Sequence, residues 1–192
     1  MIRNVQEKIL YQGKRLLKAI SYDLKNKNGV WKNQEREIYI PGDAAAILLY
    51  HKIKKTIIFV RQLRIASYLN GNTDGLLLEV CAGKLDNDDA ETCAIREVEE
   101  ETGYKIPSVQ KVFEAYIAPG AITEIVHFFV AEYSEDMKIS AGGGLEEEGE
   151  EIELIEWTFD KAYQALEKNE IRDAKTILLV QYLKLNESVL LS

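Results

Sequence analysis

The chain has 192 residues, 46% of them hydrophobic and 29% charged, and a formal net charge of −8. That excess of anions argues against a non-specific nucleic-acid binder, whose affinity rests on neutralising phosphates with lysine and arginine. No apolar run reaches the roughly 18 residues of a membrane span, and the N-terminus lacks the long apolar core of an export signal; a cytoplasmic protein with no membrane partner is expected.

In chain order, the first third reads as strands. Residues 15–24 and 30–40 flank an Asn28-Gly29 pair, a strong hairpin signal. Residues 44–50 and 56–62 predict a second hairpin around "HKIKK". Both runs are almost continuously apolar, so both faces of these strands should be covered. A turn cluster at 71–75 precedes a strand at 76–80, and "CAG" reads as a small-residue turn. A helix is expected to begin near Asp88 or Asp89, with Asp88 and Glu91 spaced as a capping pair and Gly103 as its C-terminal stop. Two more strands follow at 109–118 and 123–133, then a Gly- and Glu-rich loop at 134–151 and a strand at 152–158. The tail predicts helices near 160–168 and 173–186. Strands with interspersed helices and no regular βαβ alternation indicate an α+β class. Cys81 and Cys93 are too few for a disulfide framework and form no CxxC pair. His51 and His127 are far apart, so a histidine-rich metal site is not expected.

The segment "REVEEETGY", Arg96 to Tyr104, carries the chemistry. On a helix turning about 100° per residue, Ala94, Val98 and Thr102 form a core-facing stripe, with Glu97, Glu100 and Glu101 beside it. Glu97 and Glu101 are one turn apart and repel by about 0.2–0.5 kcal/mol. Arg96 sits four residues before Glu100 and can pair with it. A solvated acidic face would look like this, and so would a divalent-cation site, since Mg²⁺ takes oxygen ligands from one or two carboxylates plus waters and phosphates.

Arg96, Glu97, Val98, Glu100, Glu101, Gly103 and Tyr104 resemble the second half of the Nudix box, GX5EX7REUXEEXGU. Counting back from Arg96, the consensus Gly falls on Ala82 and the consensus Glu on Asp88; Gly83 is one residue late, as if the loop were shortened by one. The shortened form with "LDND", together with "RQLR" at 61–64, "APGAITE" at 118–124, "AGGGLEEEGEEIE" at 141–153 and "EIRDAKT" at 170–176, is similar to the GDP-mannose pyrophosphatase branch of the Nudix hydrolases, itself like the ADP-ribose pyrophosphatases.

The resemblance implies a Nudix-type α/β/α sandwich with a mixed sheet and an N-terminal antiparallel strand region. One domain would span 1–192, with 1–42 in dimer contact and 43–192 as catalytic core. It implies hydrolysis of a nucleoside diphosphate sugar, foremost GDP-mannose to GMP and mannose 1-phosphate. ADP-ribose or another nucleotide sugar is the alternative, and a non-catalytic binding module a more distant one. Mg²⁺, or Mn²⁺ in its place, would be held by the Ala82 carbonyl, Glu97, Glu101 and Glu150, the last with Glu147, Glu148 and Glu151 as near neighbours. Glu150 or one of those neighbours would serve as base or as metal ligand, and Glu100 with Arg96 would orient the ligands. Substrate would be bound by Arg36, Glu37, Arg61, Arg64, Gly83, Glu124 and Lys175, in a homodimer that exchanges its N-terminal strands. At position 14, where the resemblance leads one to expect an aromatic against the nucleobase, stands Lys14, with Tyr11 close by.

Overall fold

The computed structural model describes residues 1–145 and 149–192. By its internal contacts the chain divides into two compact units, Met1–Asp43 with Ala115–Val126, and Ala44–Glu114 with His127–Ser192.

The first unit holds an antiparallel sheet of β1 (Ile2–Gln12), β2 (Leu16–Lys25) and β3 (Trp31–Ile40), in that order. The hairpin between β2 and β3 forms as its sequence predicts. Gly29 takes a left-handed φ of 80°, and the Asn26 side chain accepts from the Asn28 and Val30 N–H groups. No sequence signal marks β1, whose 11 residues are all exposed and show no buried alternation. The 118–124 segment is stitched to β3. The Tyr39 N–H donates to the Ala121 carbonyl, and the Thr123 N–H donates back to Tyr39.

The second unit is built on β4 (Ala44–His51), β5 (Thr56–Leu63), β6 (Leu76–Glu79), β7 (Cys81–Lys84), β8 (Gln110–Tyr116), β9 (Ile125–Glu132) and β10 (Glu153–Thr158). These form a seven-stranded mixed sheet, ordered β10-β5-β4-β9-β8, with β6 on β5 and β7 on β4. Its helices are α1 (Ile65–Leu69), α2 (Ala90–Thr102), α3 (Phe159–Glu167) and α4 (Ala174–Leu190). All eight residues of β4 are buried, as its unbroken apolar sequence requires of a strand covered on both faces. On one face Ala45, Ile47 and Leu49 pack with Cys93, Ala94 and Val98 of α2. On the other, α4 lies against β4 and α3 against β5, with Leu179, Val180 and Leu183 fully buried at helical spacing. Each large side chain removed from water in this way contributes about 1.5–3 kcal/mol. Both cysteines are buried and free. Among the described residues, no helix is long and apolar enough to cross a membrane.

One detail of the sheet positions the site. β4 and β5 pair only near their shared turn, from Leu49–Ile58 to His51–Thr56. Beyond that they part. The 76–84 segment enters the fork along β5, with Leu63 opposite Leu76 and Val60 opposite Glu79. It reverses at Val80 and leaves along β4, with Ile47 opposite Cys81 and Ala46 opposite Ala82. "CAG" is therefore strand, not the turn its small residues suggest.

Candidate functional site

Helix α2 starts one residue later than the Asp88–Glu91 spacing suggests. Asp89 is the N-cap, and its carboxylate accepts from the Glu91 and Thr92 N–H groups at 3.0 Å each. Asp88 is left outside the helix, where the Asp88 N–H closes a tight turn on the Leu85 carbonyl at 2.7 Å. Within that turn Asp86 has a φ of 46°, so the short loop reverses by placing a non-glycine residue in the left-handed region. Asp88 is free to meet Arg96, 3.1 Å from its Nε. The helix ends where expected, at Gly103 with φ 73°.

Arg96 gathers three acids. Besides Asp88, its Nη1 lies 2.9 Å from Glu97 Oε1 and 2.8 Å from Glu100 Oε2, while Nη2 donates to the Lys84 carbonyl at 3.3 Å. The guanidinium thus spans from the helix to β7 and holds two box glutamates by their carboxylates.

Glu97 and Glu101 are turned inward; Glu97 is buried and Glu101 is 1% exposed. Burial pushes the Glu97 carboxyl up to about 7, resisted by Arg96 and reinforced by Glu100 and Glu150. Burial pushes Glu101 up further, with Glu97 and Glu150 adding to it while the Cys81 thiol and Arg64 pull the other way. Among the described residues, Glu101 Oε2 is buried with no hydrogen-bond partner. Gly83 makes room for this arrangement, because a Cβ there would stand 1.9 Å from Glu97 Oε1. Among the described residues, no three His, Cys, Asp or Glu side chains are already gathered as metal ligands. Two adjoining buried carboxyls, one touched by Arg96 and the other with an orphaned oxygen, nevertheless form an anionic donor set, and a hard divalent cation completed by main-chain oxygen and water fits it.

The Gly-rich loop caps the other end of α2. The Gly143 and Gly144 N–H groups donate to the Glu101 and Glu100 carbonyls at 2.9 and 3.2 Å, and the Ile139 N–H donates to Gly103. These donors satisfy carbonyls that a helix end leaves bare. The fit is tight: a Cβ on Gly142 would lie 2.6 Å from the Glu101 carbonyl oxygen. Glu150 folds back on this loop, its Oε2 accepting from the Leu145 N–H at 3.2 Å. Glu147 and Glu148 lie outside the described residues, and Glu151 is exposed. Along the Arg96–Glu100 side of α2 and the 140–145 segment runs a cleft of about 650 Å³; Glu97 and Glu101 do not line it.

The remaining candidates divide by unit. Arg64 and Lys175 meet at a residue the sequence reading missed, Glu79. Arg64 Nε is 2.8 Å from Glu79 Oε2, and Lys175 Nζ is 3.5 Å from Oε1. No sequence signal marks Glu79, a single acid ending an apolar strand. Arg61 sits on β5 and pairs across the sheet with Glu153, Nε to Oε2 at 2.8 Å. Arg36, Glu37 and Glu124 belong to the N-terminal unit. There Arg36 is exposed, donating to the Glu35 carbonyl and Gln34 Oε1 at 2.7 and 3.3 Å. Glu37 is exposed on β3, and Glu124 is half-buried just before β9. Tyr11 is exposed and its ring closes over Gly13.

Known proteins share the sequence and the fold of this chain. The NUDIX domain family matches residues 41–180, and the GDP-mannose pyrophosphatase NudK N-terminal domain matches residues 1–39. The chain is 48% identical over 180 residues to the GDP-mannose pyrophosphatase of Salmonella typhimurium, covering 94% of this chain and 93% of that one. It is 45% identical over 185 residues to the GDP-mannose pyrophosphatase of Escherichia coli O157:H7, covering 96% of each. The crystal structure of an ADP compounds hydrolase shares the fold, with a TM-score of 0.70 at 22% identity over 96% of this chain and 94% of that one. With the box helix, its buried glutamates and a family match over most of its length, the chain belongs to the Nudix family.

Proposed function

We propose that this chain hydrolyses the diphosphate bond of GDP-mannose, releasing GMP and mannose 1-phosphate. The observation that carries the reading is the fully buried Glu101, with an unpartnered oxygen beside Glu97, on the box helix of a chain 48% identical to a GDP-mannose pyrophosphatase. The Ala82 carbonyl oxygen and the carboxylates of Glu97 and Glu101, with Glu150 as a further oxygen donor, would hold Mg²⁺ or Mn²⁺. Bound there, such an ion neutralises diphosphate charge and makes a coordinated water acidic enough to yield a nucleophile near neutral pH.

The chain's own groups do the rest. Arg96 holds Glu97 and Glu100 together through its Nη1, so the carboxylates keep their orientation when substrate arrives. Glu150 is the acceptor we assign to the water's proton, since it shares the field of Glu97 and Glu101 and belongs to a loop rather than a packed strand. Arg64 and Lys175 offer cationic N–H donors to the phosphates, and Arg61 a third. Gly83 keeps the wall beside Glu97 clear for the ligand. Arg36, Glu37 and Glu124 would recognise the nucleoside and sugar.

We also propose a homodimer formed through the N-terminal strands. β1 is an outer strand of its sheet and exposes Ile2, Val5, Ile9, Leu10 and Tyr11. A long apolar outer strand of this kind favours pairing with a second copy.

The test is a panel of GDP-mannose, ADP-ribose and UDP-sugars with Mg²⁺ or with EDTA, read by chromatography of the products. Faster turnover of GDP-mannose than of the others, with GMP as product and no turnover in EDTA, is expected. Preference for ADP-ribose would overturn the substrate, and tight binding without turnover of any member would overturn the enzyme.

A further inference from the structure

We propose that Glu79 is a positioning residue for this reaction: it grips Arg64 from below and holds the guanidinium ready for the substrate's diphosphate. The proposal rests on the function proposed above. Glu79 closes β6 at the fork between β4 and β5, and its side chain is 4% exposed while that of Arg64 is 40% exposed. One carboxylate oxygen, Oε2, takes both Nε at 2.8 Å and Nη2 at 2.7 Å. The buried acid thus anchors one edge of a guanidinium that reaches toward solvent, and the two N–H groups of Nη1 point away from the anchor. A fork held at two nitrogens fixes direction as well as position, which a single contact does not.

The anchor is itself braced. Lys175 Nζ lies 3.5 Å from the other oxygen of Glu79 and 2.6 Å from Asp173 Oδ1. The second oxygen of Asp173 caps α4 at the Thr176 N–H and hydroxyl, at 2.9 and 2.7 Å. The Thr176 hydroxyl oxygen in turn accepts from the Val80 N–H at 2.8 Å. The start of α4 and the end of β6 are therefore locked together around Glu79. Glu79 stands three residues before Ala82, and next to Ala82 is Gly83, whose Cα lies against the Glu97 carboxylate. The acid that grips the guanidinium thus lies on the same 76–84 segment of the sheet fork as Ala82 and Gly83, beside which a diphosphate would lie.

A purely structural role, tying α4 to β6, would use the same bonds, so the test is a double-mutant cycle. Glu79→Gln keeps shape and removes the charge. Turnover of GDP-mannose is measured for wild type, Glu79→Gln, Arg64→Ala and the double variant, with melting curves for each. Glu79→Gln is expected to lower kcat/KM roughly tenfold to a hundredfold in the wild-type background, as a misaimed group does. In the Arg64→Ala background it should change kcat/KM by less than about twofold, because its effect passes through Arg64. Equal losses in both backgrounds would overturn the proposal and leave the enzyme's function intact. Inactivity of the wild type on the whole nucleotide-sugar panel would overturn the function and this proposal together. If Glu79→Gln fails to fold, Arg64→Lys decides. Lysine keeps the charge without the fork, so a loss as large as that of Arg64→Ala supports positioning, and retention of half the wild-type kcat/KM or more overturns it.

Discussion

Glu79 and Glu101 are buried almost equally, at 3% and 1% exposure, yet their surroundings are opposite. Glu79 lies between Arg64 and Lys175. Glu101 lies beside Glu97 and has an oxygen with no hydrogen-bond partner among the described residues. A buried acid between two cations is electrostatically complete. A buried acid beside another acid is not, until a cation arrives. Burial alone therefore does not mark a ligand site; the sign of the neighbouring charges does.

The largest expected effect tests the incomplete acid. Glu101→Gln removes a charge with little change of volume, and turnover should fall about a thousandfold or more, near 4 kcal/mol of barrier. The circular dichroism spectrum should be unchanged. Activity within about tenfold of wild type, about 1.4 kcal/mol, would show that Glu101 ligates nothing needed.

Stability in EDTA at pH 8 sharpens the comparison, because the two acids should respond with opposite sign. Glu101→Gln relieves an uncompensated buried carboxyl and should raise the melting temperature. Glu79→Gln strands two cations and should lower it. Breaking a buried pair costs about 3–5 kcal/mol, and the partial exposure of Arg64 reduces the expectation to about 2 kcal/mol. Glu97 adds a pH signature. Its folded pKa, about 7, stands above the ordinary 4.5. The stability associated with its protonated form is fully present below about pH 4.5 and is lost as pH rises through 7, on the order of 3 kcal/mol in all. Urea titrations of metal-free protein between those limits should show the decline. Glu97→Gln should flatten it, and Mg²⁺ should reverse it by favouring the ionised form. A flat profile in EDTA would mean that Glu97 is better solvated than its burial indicates.

How much of this was legible in sequence follows from the range of the forces. Arg96, Glu97, Glu100 and Glu101 were readable because helical spacing of three and four residues fixes their common side. The hairpin at Asn28-Gly29 and the covered strands at 44–50 and 56–62 were readable from local turn chemistry and unbroken apolarity. β7 was not, since "CAG" becomes strand only because β4 and β5 part and leave backbone groups to be paired. β1 was not, because no residue in it is buried to impose a pattern. Glu79 was hidden for the same reason as β7: its partners come from α4 and from the end of β5, and no local rule connects them.

Gly83→Ala probes whether the room beside Glu97 is part of the site. The added Cβ would come within 1.9 Å of the far end of a flexible side chain, so Glu97 should swing away at little cost in stability. Displacing a reacting group by about 1 Å costs up to a hundredfold. We expect kcat/KM to fall roughly tenfold, and Mg²⁺ to protect less against thermal unfolding than it does in wild type. An unchanged response to Mg²⁺ would mean that Glu97 reaches the ion from another rotamer.

The smallest effect separates two neighbouring acids that the sequence could not. Asp89 caps α2 through two backbone N–H groups, whereas Asp88 faces Arg96 with its side chain 37% exposed. Asp89→Ala should cost about 1 kcal/mol of stability, the usual value of an N-cap. It should leave turnover nearly unchanged at temperatures well below the melt, because the cap lies at the opposite end of the helix from Glu101. Asp88→Ala should cost well under 1 kcal/mol, since an exposed ion pair is worth little. It also releases Arg96 from one of its three acids, and a small loss in kcat is the expected sign of that. Both variants keep the same number of acids in the loop, so net charge cannot explain a difference between them. If Asp88→Ala proves the less stable, the helix begins one residue earlier than described, and the tight turn at Leu85–Asp88 must open to allow it.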